Sequence, residues 1–302
     1  MIRLSIRTGP VPFPPHIAPN GQADIWLDVR GQEYGSGLAV GDEYYLKIHR
    51  VGAFRIERGY SAAIGYPEPG VDLSSFQAAF FHGVAPWLLQ RQDWDCLHAS
   101  AVLIPAGVVI FCGPSGCGKS TLARAWSERG AAIYADDAAP FLVRDGVAMS
   151  ARIPQRLRLR EPAASHFPIE RHDPFSASSA SRELTYDLEP TLRPVSSIYW
   201  PEPAAGGMRC AGPVIERVPA TEAFSLLLSE AHCMSLRDPA CNRKMVRNYL
   251  SLVRSVPVFR LRYPLHLDLL PAVLAELERC EKASVRDGRA RASSRPAGCM
   301  EG

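Results

Sequence analysis

The pattern of apolar and polar positions changes character near residue 95. Up to that point the apolar residues alternate in short runs, "ADIWLDV", "YYLKIHRVGAFRIERG" and "SAAIGYP", with Gly and Pro between them. Period two broken by turn residues predicts a small β-rich domain. The stretch "SSFQAAFFHGVAPWLLQRQ" then switches to helical spacing, interrupted at Pro86. Beyond it strand and helix patterns alternate. "SAVLI" and "VVIFCG" read as strands joined at Pro105-Ala106-Gly107, and "KSTLARAWSER" as a helix stopped by Gly130. "AAIYA" is the next strand, and "FLVRDGVAMS" a hairpin turning on Asp145-Gly146. "RLRLR" (residues 156–160) and "SSIYW" read as further strands. Thr221 and Asp238-Pro239 mark helix starts, "VPVFRLRYP" a late strand and "DLLPAVLAELERCEKA" a last helix. The fold class is α/β with antiparallel additions.

This gives three segments: a β-rich domain with a linking helix over 1–94, an α/β domain over 95–284, and a tail over 285–302. The tail is Arg-rich, polar and punctuated by Gly and Pro, so it is expected to be disordered. With 302 residues, 47% hydrophobic and 22% charged, the chain has a real core. A net charge of +3 is too small to argue for nucleic acid or membrane, and neither is expected as a partner. The N-terminus lacks the apolar core of a secretory signal, and the run Ala99 to Cys112 is broken by Pro105 and Gly107. The 8 cysteines form no CxxC pair, which suits a reduced, cytoplasmic chain. His232-Cys233 lacks a second pair of ligands, so it does not argue for a metal.

Candidate chemistry begins at "GPSGCGKST", Gly113, Pro114, Ser115, Gly116, Cys117, Gly118, Lys119, Ser120 and Thr121. It fits the G-x-x-x-x-G-K-[ST] pattern, with a strand before it and a helix after it. The glycines let successive N–H groups turn inward as an anion nest. The helix start adds partial positive charge. Lys119 supplies a point charge for the β and γ phosphates of ATP, and Ser120 a hydroxyl for Mg2+. Lys119 is expected on a solvent-facing loop, packing against nothing. Downstream, the strand "AAIYA" ends in Asp136 and Asp137. Two adjacent acids after a buried strand, beside a triphosphate site, suit contacts to metal and nucleophile. If the chain there is extended, their side chains point to opposite sides. His98 opens the strand before the loop; a lone histidine is more often structural, but its position sets this one apart.

Together "LHASAV", "GPSGCGKST" and "ADD" resemble the HPr kinase/phosphorylase family. They are more similar still to HPr-kinase-related proteins encoded beside lasso-peptide biosynthesis genes. The resemblance implies a P-loop kinase domain of the HPr-kinase C-terminal type, preceded by a small β-rich domain. It implies ATP- and Mg2+-dependent transfer to a serine hydroxyl of a peptide or small protein, with a lasso-peptide precursor as one such acceptor. By position it makes Asp137 the general base and Asp136 its metal-side neighbour. His98 falls near the attacking group, Lys119 and Ser120 on phosphate and magnesium, and Glu161 at a second magnesium acid. Pro114 and Ser120-Thr121 depart from the bifunctional enzymes, which carry an acid after the first loop Gly and Ser-Glu after the Lys. The departures favour kinase activity alone over phosphorolysis. Oligomeric state stays open, a homo-oligomer included. Two other readings stand beside this one: a small-molecule P-loop kinase, with Arg156, Arg158 and Arg160 as a basic strip, and a nucleotide-dependent peptide-binding module without transfer.

Overall fold

The structure is a computed structural model that describes residues 1–9, 24–27, 33–154, 157, 159–167, 182–204, 212–232, 239–264 and 266–293. Arg156, Arg158, Asp238, Cys233 and the tail beyond Ser293 lie outside these residues.

The first half builds one sheet from β1 (Ile2–Ile6), β2 (Asp24–Leu27), β3 (Glu33–Val40), β4 (Glu43–Ile48), β5 (Gly52–Ile56) and β6 (Ala62–Pro67). Helix α1 (Leu73–Ala79) follows, started by Asp72, whose side chain accepts from the Ser75 amide at 2.8 Å. A π-helical turn, Phe80–Val84, leads into α2 (Ala85–Gln90). Pro86 has no N–H to bond back into the preceding turn, and the chain widens there rather than breaking. Leu4, Leu46, Phe54, Phe76, Phe80, Trp87 and Leu88 fill the space between sheet and helices.

The second half contains β7 (Asp95–Leu97), β8 (Ala99–Ile104), β9 (Gly107–Cys112), α3 (Lys119–Ser127), β10 (Ala132–Ala135), β11 (Ala139–Arg144) and β12 (Val147–Ser150). After these come α4 (Ala163–His166), β13 (Glu183–Tyr186), β14 (Arg193–Ala204), β15 (Val214–Arg217), α5 (Ala220–Ser229), α6 (Pro239–Ser255), β16 (Val258–Pro264) and α7 (Leu270–Ser293). Its sheet runs β10-β8-β9-β14-β12-β11-β7, with β16 also on β14 and β15 on β16. β14 lies parallel to both β9 and β16, while β8 and β9 are antiparallel.

Every residue of β9 is buried, because helices cover both faces. Val109 and Phe111 pack with Leu122, Trp126, Val273 and Leu277 of α3 and α7. Val108, Ile110 and Cys112 pack with Leu227, Tyr249 and Leu252 of α5 and α6. Period-two alternation thus feeds two separate cores from one strand.

Three expectations need correction. Leu157, Leu159 and Arg160 are irregular, so the strand expected of "RLRLR" does not run through them. Thr221 sits in the first turn of α5, which starts at Ala220 after Pro219. Helix α7 runs on to Ser293, through residues that composition assigned to a disordered tail. Their Arg and Ala content is compatible with helix once a long helix precedes them. The boundary near residue 95 is also crossed. β13, from the second half, pairs antiparallel with β1, Ile2 opposite Tyr186.

Candidate active site

The glycine-rich loop leaves β9 at its C-terminal end and enters α3. Gly118 caps α3 with φ 95°, a left-handed conformation that favours glycine. Gly116 also has positive φ, and a Cβ there would meet nothing within 4 Å, so the loop is open on that side. Lys119 does not face solvent as expected. It is 7% exposed, and its Nζ donates to the carbonyls of Gly113 at 2.6 Å and Pro114 at 3.2 Å. An ammonium has three donors, and the loop wraps round this one to use them.

Sheet order explains why the other residues meet here. β8 lies between β9 and β10, so its Ser100 falls between the loop and the end of β10. Asp136, 2% exposed, accepts on Oδ1 from Ser100 Oγ at 2.6 Å and Ser120 Oγ at 2.8 Å. Asp137 follows with φ 71°, so the backbone turns rather than staying extended. Aspartate enters this region more readily than most residues. The two carboxylates do diverge, but because of that turn. Asp137 faces His98, whose Nε2 lies 3.3 Å from its Oδ1, and His82 Nδ1 lies 3.8 Å from its Oδ2.

Charge follows geometry. The His98 hydrogen bond holds the Asp137 carboxyl well below the usual range, against the opposing effect of burial. Hydrogen bonds to Asp137 and Glu230 raise His98 to about 9, so the ring is an imidazolium at neutral pH. Buried His232 goes the other way, to about 4, because burial disfavours its charged form.

His98, Ser100, Ser115, Gly116, Lys119 and Ser120 line one cavity of about 460 Å³ with Asp136, Asp137 and Glu161. Leu159, Tyr263, Leu267 and Leu270 add apolar lining to it. Glu161 stands at the exposed rim and its Oε2 accepts from Ser165 Oγ at 2.7 Å. Arg160 also lines the cavity, from irregular backbone rather than a strand face. Among the described residues no three His, Cys, Asp or Glu side chains gather as a metal cage. Mg2+ does not need one: it takes one or two carboxylates and completes its shell with water and phosphate oxygens. The paired oxygens of Ser120 and Asp136 fit that donor set.

Sequence reading missed Ser100, His82 and Glu230. Ser100 carried a signal: it is two residues after His98, so it shares the same side of an extended chain. His82 and Glu230 carried none, since the fold brings them in from a π-helical turn and from the residue after α5.

No family model matches the sequence, and no curated protein matches it. Among solved structures the chain is similar to the Hpr(Ser) kinase/phosphatase from Coxiella burnetii. The two are 14% identical with a TM-score of 0.31, over 66% of this chain and 99% of that one. No helix among the described residues is long and apolar enough to cross a membrane.

Proposed function

We propose that this chain is a Mg2+- and ATP-dependent serine kinase. It transfers the γ-phosphoryl group to a serine hydroxyl of a peptide or small protein, a lasso-peptide precursor being one such acceptor. The observation that carries this reading is the 2.8 Å hydrogen bond from Ser120 to Asp136 at the foot of the Lys119 loop, with Asp137 turned into the same cavity.

In this reading the loop amides and Lys119 hold the phosphates of ATP. Ser120 and Asp136 would hold Mg2+, which would supply positive charge against that of the phosphates. Asp137, kept ionised by His98, accepts a hydrogen bond from the acceptor hydroxyl and orients it in line with the γ-phosphorus. The serine Oγ–P bond forms as the bond to the β–γ bridging oxygen breaks. ADP leaves, and the hydroxyl proton passes to Asp137. A carboxylate held this far down is a weak base. It suits a loose transition state in which the proton moves late and positioning does most of the catalysis.

The test incubates the full chain with Mg2+, ATP and serine-bearing synthetic peptides. Phosphoserine by mass spectrometry, lost in Lys119→Ala, is the expected result. Nucleotide binding with no phosphate on any acceptor would instead make the chain a binding module.

A further inference from the structure

Glu230 has had no role so far beyond its effect on His98. It is the residue after α5, and the chain there is stitched to the end of β7 and to His98 just beyond it. The His98 amide donates to the Glu230 carbonyl at 2.8 Å, and the His232 amide to the Cys96 carbonyl at 2.9 Å. Leu97 and Ala231 face one another between these two bonds as an antiparallel bridge. The backbone therefore fixes Glu230 against His98 before any side chain is considered. The Glu230 side chain is 14% exposed, and its Oε2 lies 3.2 Å from His98 Nδ1. On the opposite edge of the ring, Nε2 faces Asp137 at 3.3 Å. In the imidazolium both ring nitrogens donate, so a carboxylate fixed against Nδ1–H sets the direction in which Nε2–H points.

We propose that Glu230 is a positioning residue: it grips Nδ1–H of His98 so that Nε2–H is aimed at Asp137, which holds the Asp137 carboxylate at one place in the cavity. The inference rests on the kinase reading only in that Asp137 is the group that meets the acceptor. The charged and titratable groups around the His98 ring are Glu230 after α5, Asp137 after β10 and Lys119 at the start of α3. His232 couples to both His98 and Asp137, and His82 of the π-helical turn couples to Asp137. Among the described residues, Glu230 is the carboxylate that approaches the far edge of the ring from a fixed backbone.

The experiment compares the parent with Glu230→Ala and Glu230→Gln. The probe is Mg2+ and ATP with water as the acceptor, read as steady-state hydrolysis. Side-chain N–H signals of the histidines are recorded by 15N NMR on the same proteins, with His98→Asn to assign the ring. Partners that orient a metal-bound histidine typically account for about 10–100-fold in activity, and Glu230 is asked for the same orienting role on a histidine that holds a carboxylate. Glu230→Ala should lower kcat by about tenfold at unchanged KM for ATP, because the phosphate loop is untouched. Glu230→Gln keeps an oxygen that accepts from Nδ1–H and should return kcat to within about threefold of the parent. The slowly exchanging Nδ1–H signal of His98 should be present in the parent and in Glu230→Gln, and absent in Glu230→Ala. Equal loss in both variants, parental kcat in Glu230→Ala, or an Nδ1–H signal that survives in Glu230→Ala would overturn the proposal. A parent that hydrolyses no ATP and phosphorylates no peptide sinks the kinase reading alone, and the NMR comparison then still decides Glu230. Should Glu230→Ala fail to fold, Glu230→Ser, equally too short to reach the ring, takes its place.

Discussion

Asp136 and Asp137 are neighbours in sequence with opposite surroundings, so their substitutions should separate. Asp137→Asn preserves shape and tolerates φ 71°, but cannot stay anionic. It should keep nucleotide affinity while losing about 10²–10⁴-fold in phosphoryl transfer to a serine peptide. Asp136→Asn weakens the acceptor shared by Ser100 and Ser120, and should raise the Mg2+ concentration needed for half-maximal rate. Transfer assays across a Mg2+ series distinguish the two, and parental transfer in Asp137→Asn would remove it from the mechanism. The same site gives stability a pH dependence. His98 is raised from 6.5 to about 9, so its contribution is complete below about pH 6.5 and is lost as pH rises through about 9. On the acid side, Asp137 is depressed, so its contribution is present above its ordinary value of 3.8 and is lost as pH falls further. Urea midpoints of the parent minus those of His98→Asn should therefore decline between about pH 6.5 and 9. A flat difference would mean that the ring is not held as a cation.

At the scale of elements, the turn from loop to α3 is set by one contact. A Cβ on Gly118 would lie 2.1 Å from Tyr263 Oη, and that hydroxyl donates to the Cys117 carbonyl at 2.8 Å. Gly118→Ala should destabilise the fold by about 2–4 kcal/mol, combining left-handed strain with displacement of Tyr263. Adding Tyr263→Phe removes the clashing oxygen and should recover part of the loss, leaving the strain. Chemical denaturation of the two single variants and the double variant closes that cycle. Elements defined by contiguous residues were the ones legible in the sequence. Asp145 and Gly146, with φ 52° and 77°, form the β11–β12 hairpin that Asp-Gly announced. The glycine loop and the acid pair were visible for the same reason. "RLRLR" misled because alternation records two environments without saying that a neighbouring strand supplies them. Glu230 and His82 were invisible because only the stitching of residues 230–232 to β7 and His98 brings Glu230 to His98, and only the π-helical turn brings His82 to Asp137.

Across the whole molecule, the two sheets share chain. β13 leaves the second half, pairs with β1 through Ile2 to Ser5, and the chain then returns to enter β14. A fragment of residues 1–94 would lack β13 and bare the edge of β1. It should be markedly more protease-sensitive than the same residues in the full chain, and adding residues 183–186 as a peptide should not suffice to protect it. Limited proteolysis with mass mapping checks this, and a protease-resistant 1–94 fragment would show that the sheet stands alone. The far end behaves differently. Glu281, 4% exposed, accepts from Ser197 at 2.6 Å and Tyr199 at 2.7 Å, tying α7 to β14. Truncation after residue 284 should keep nucleotide affinity, whereas truncation before Glu281 strands two buried hydroxyls and should lower the melting temperature by several degrees.

The passage of β13 between the halves also bears on heredity. A gene segment cut near codon 95 would carry away a sheet that is missing one of its own strands. By this topology the N-terminal unit is not a self-sufficient cassette to trade among catalytic partners. Unless the matching strand travelled with it, the transplanted sheet would arrive with its β1 edge open.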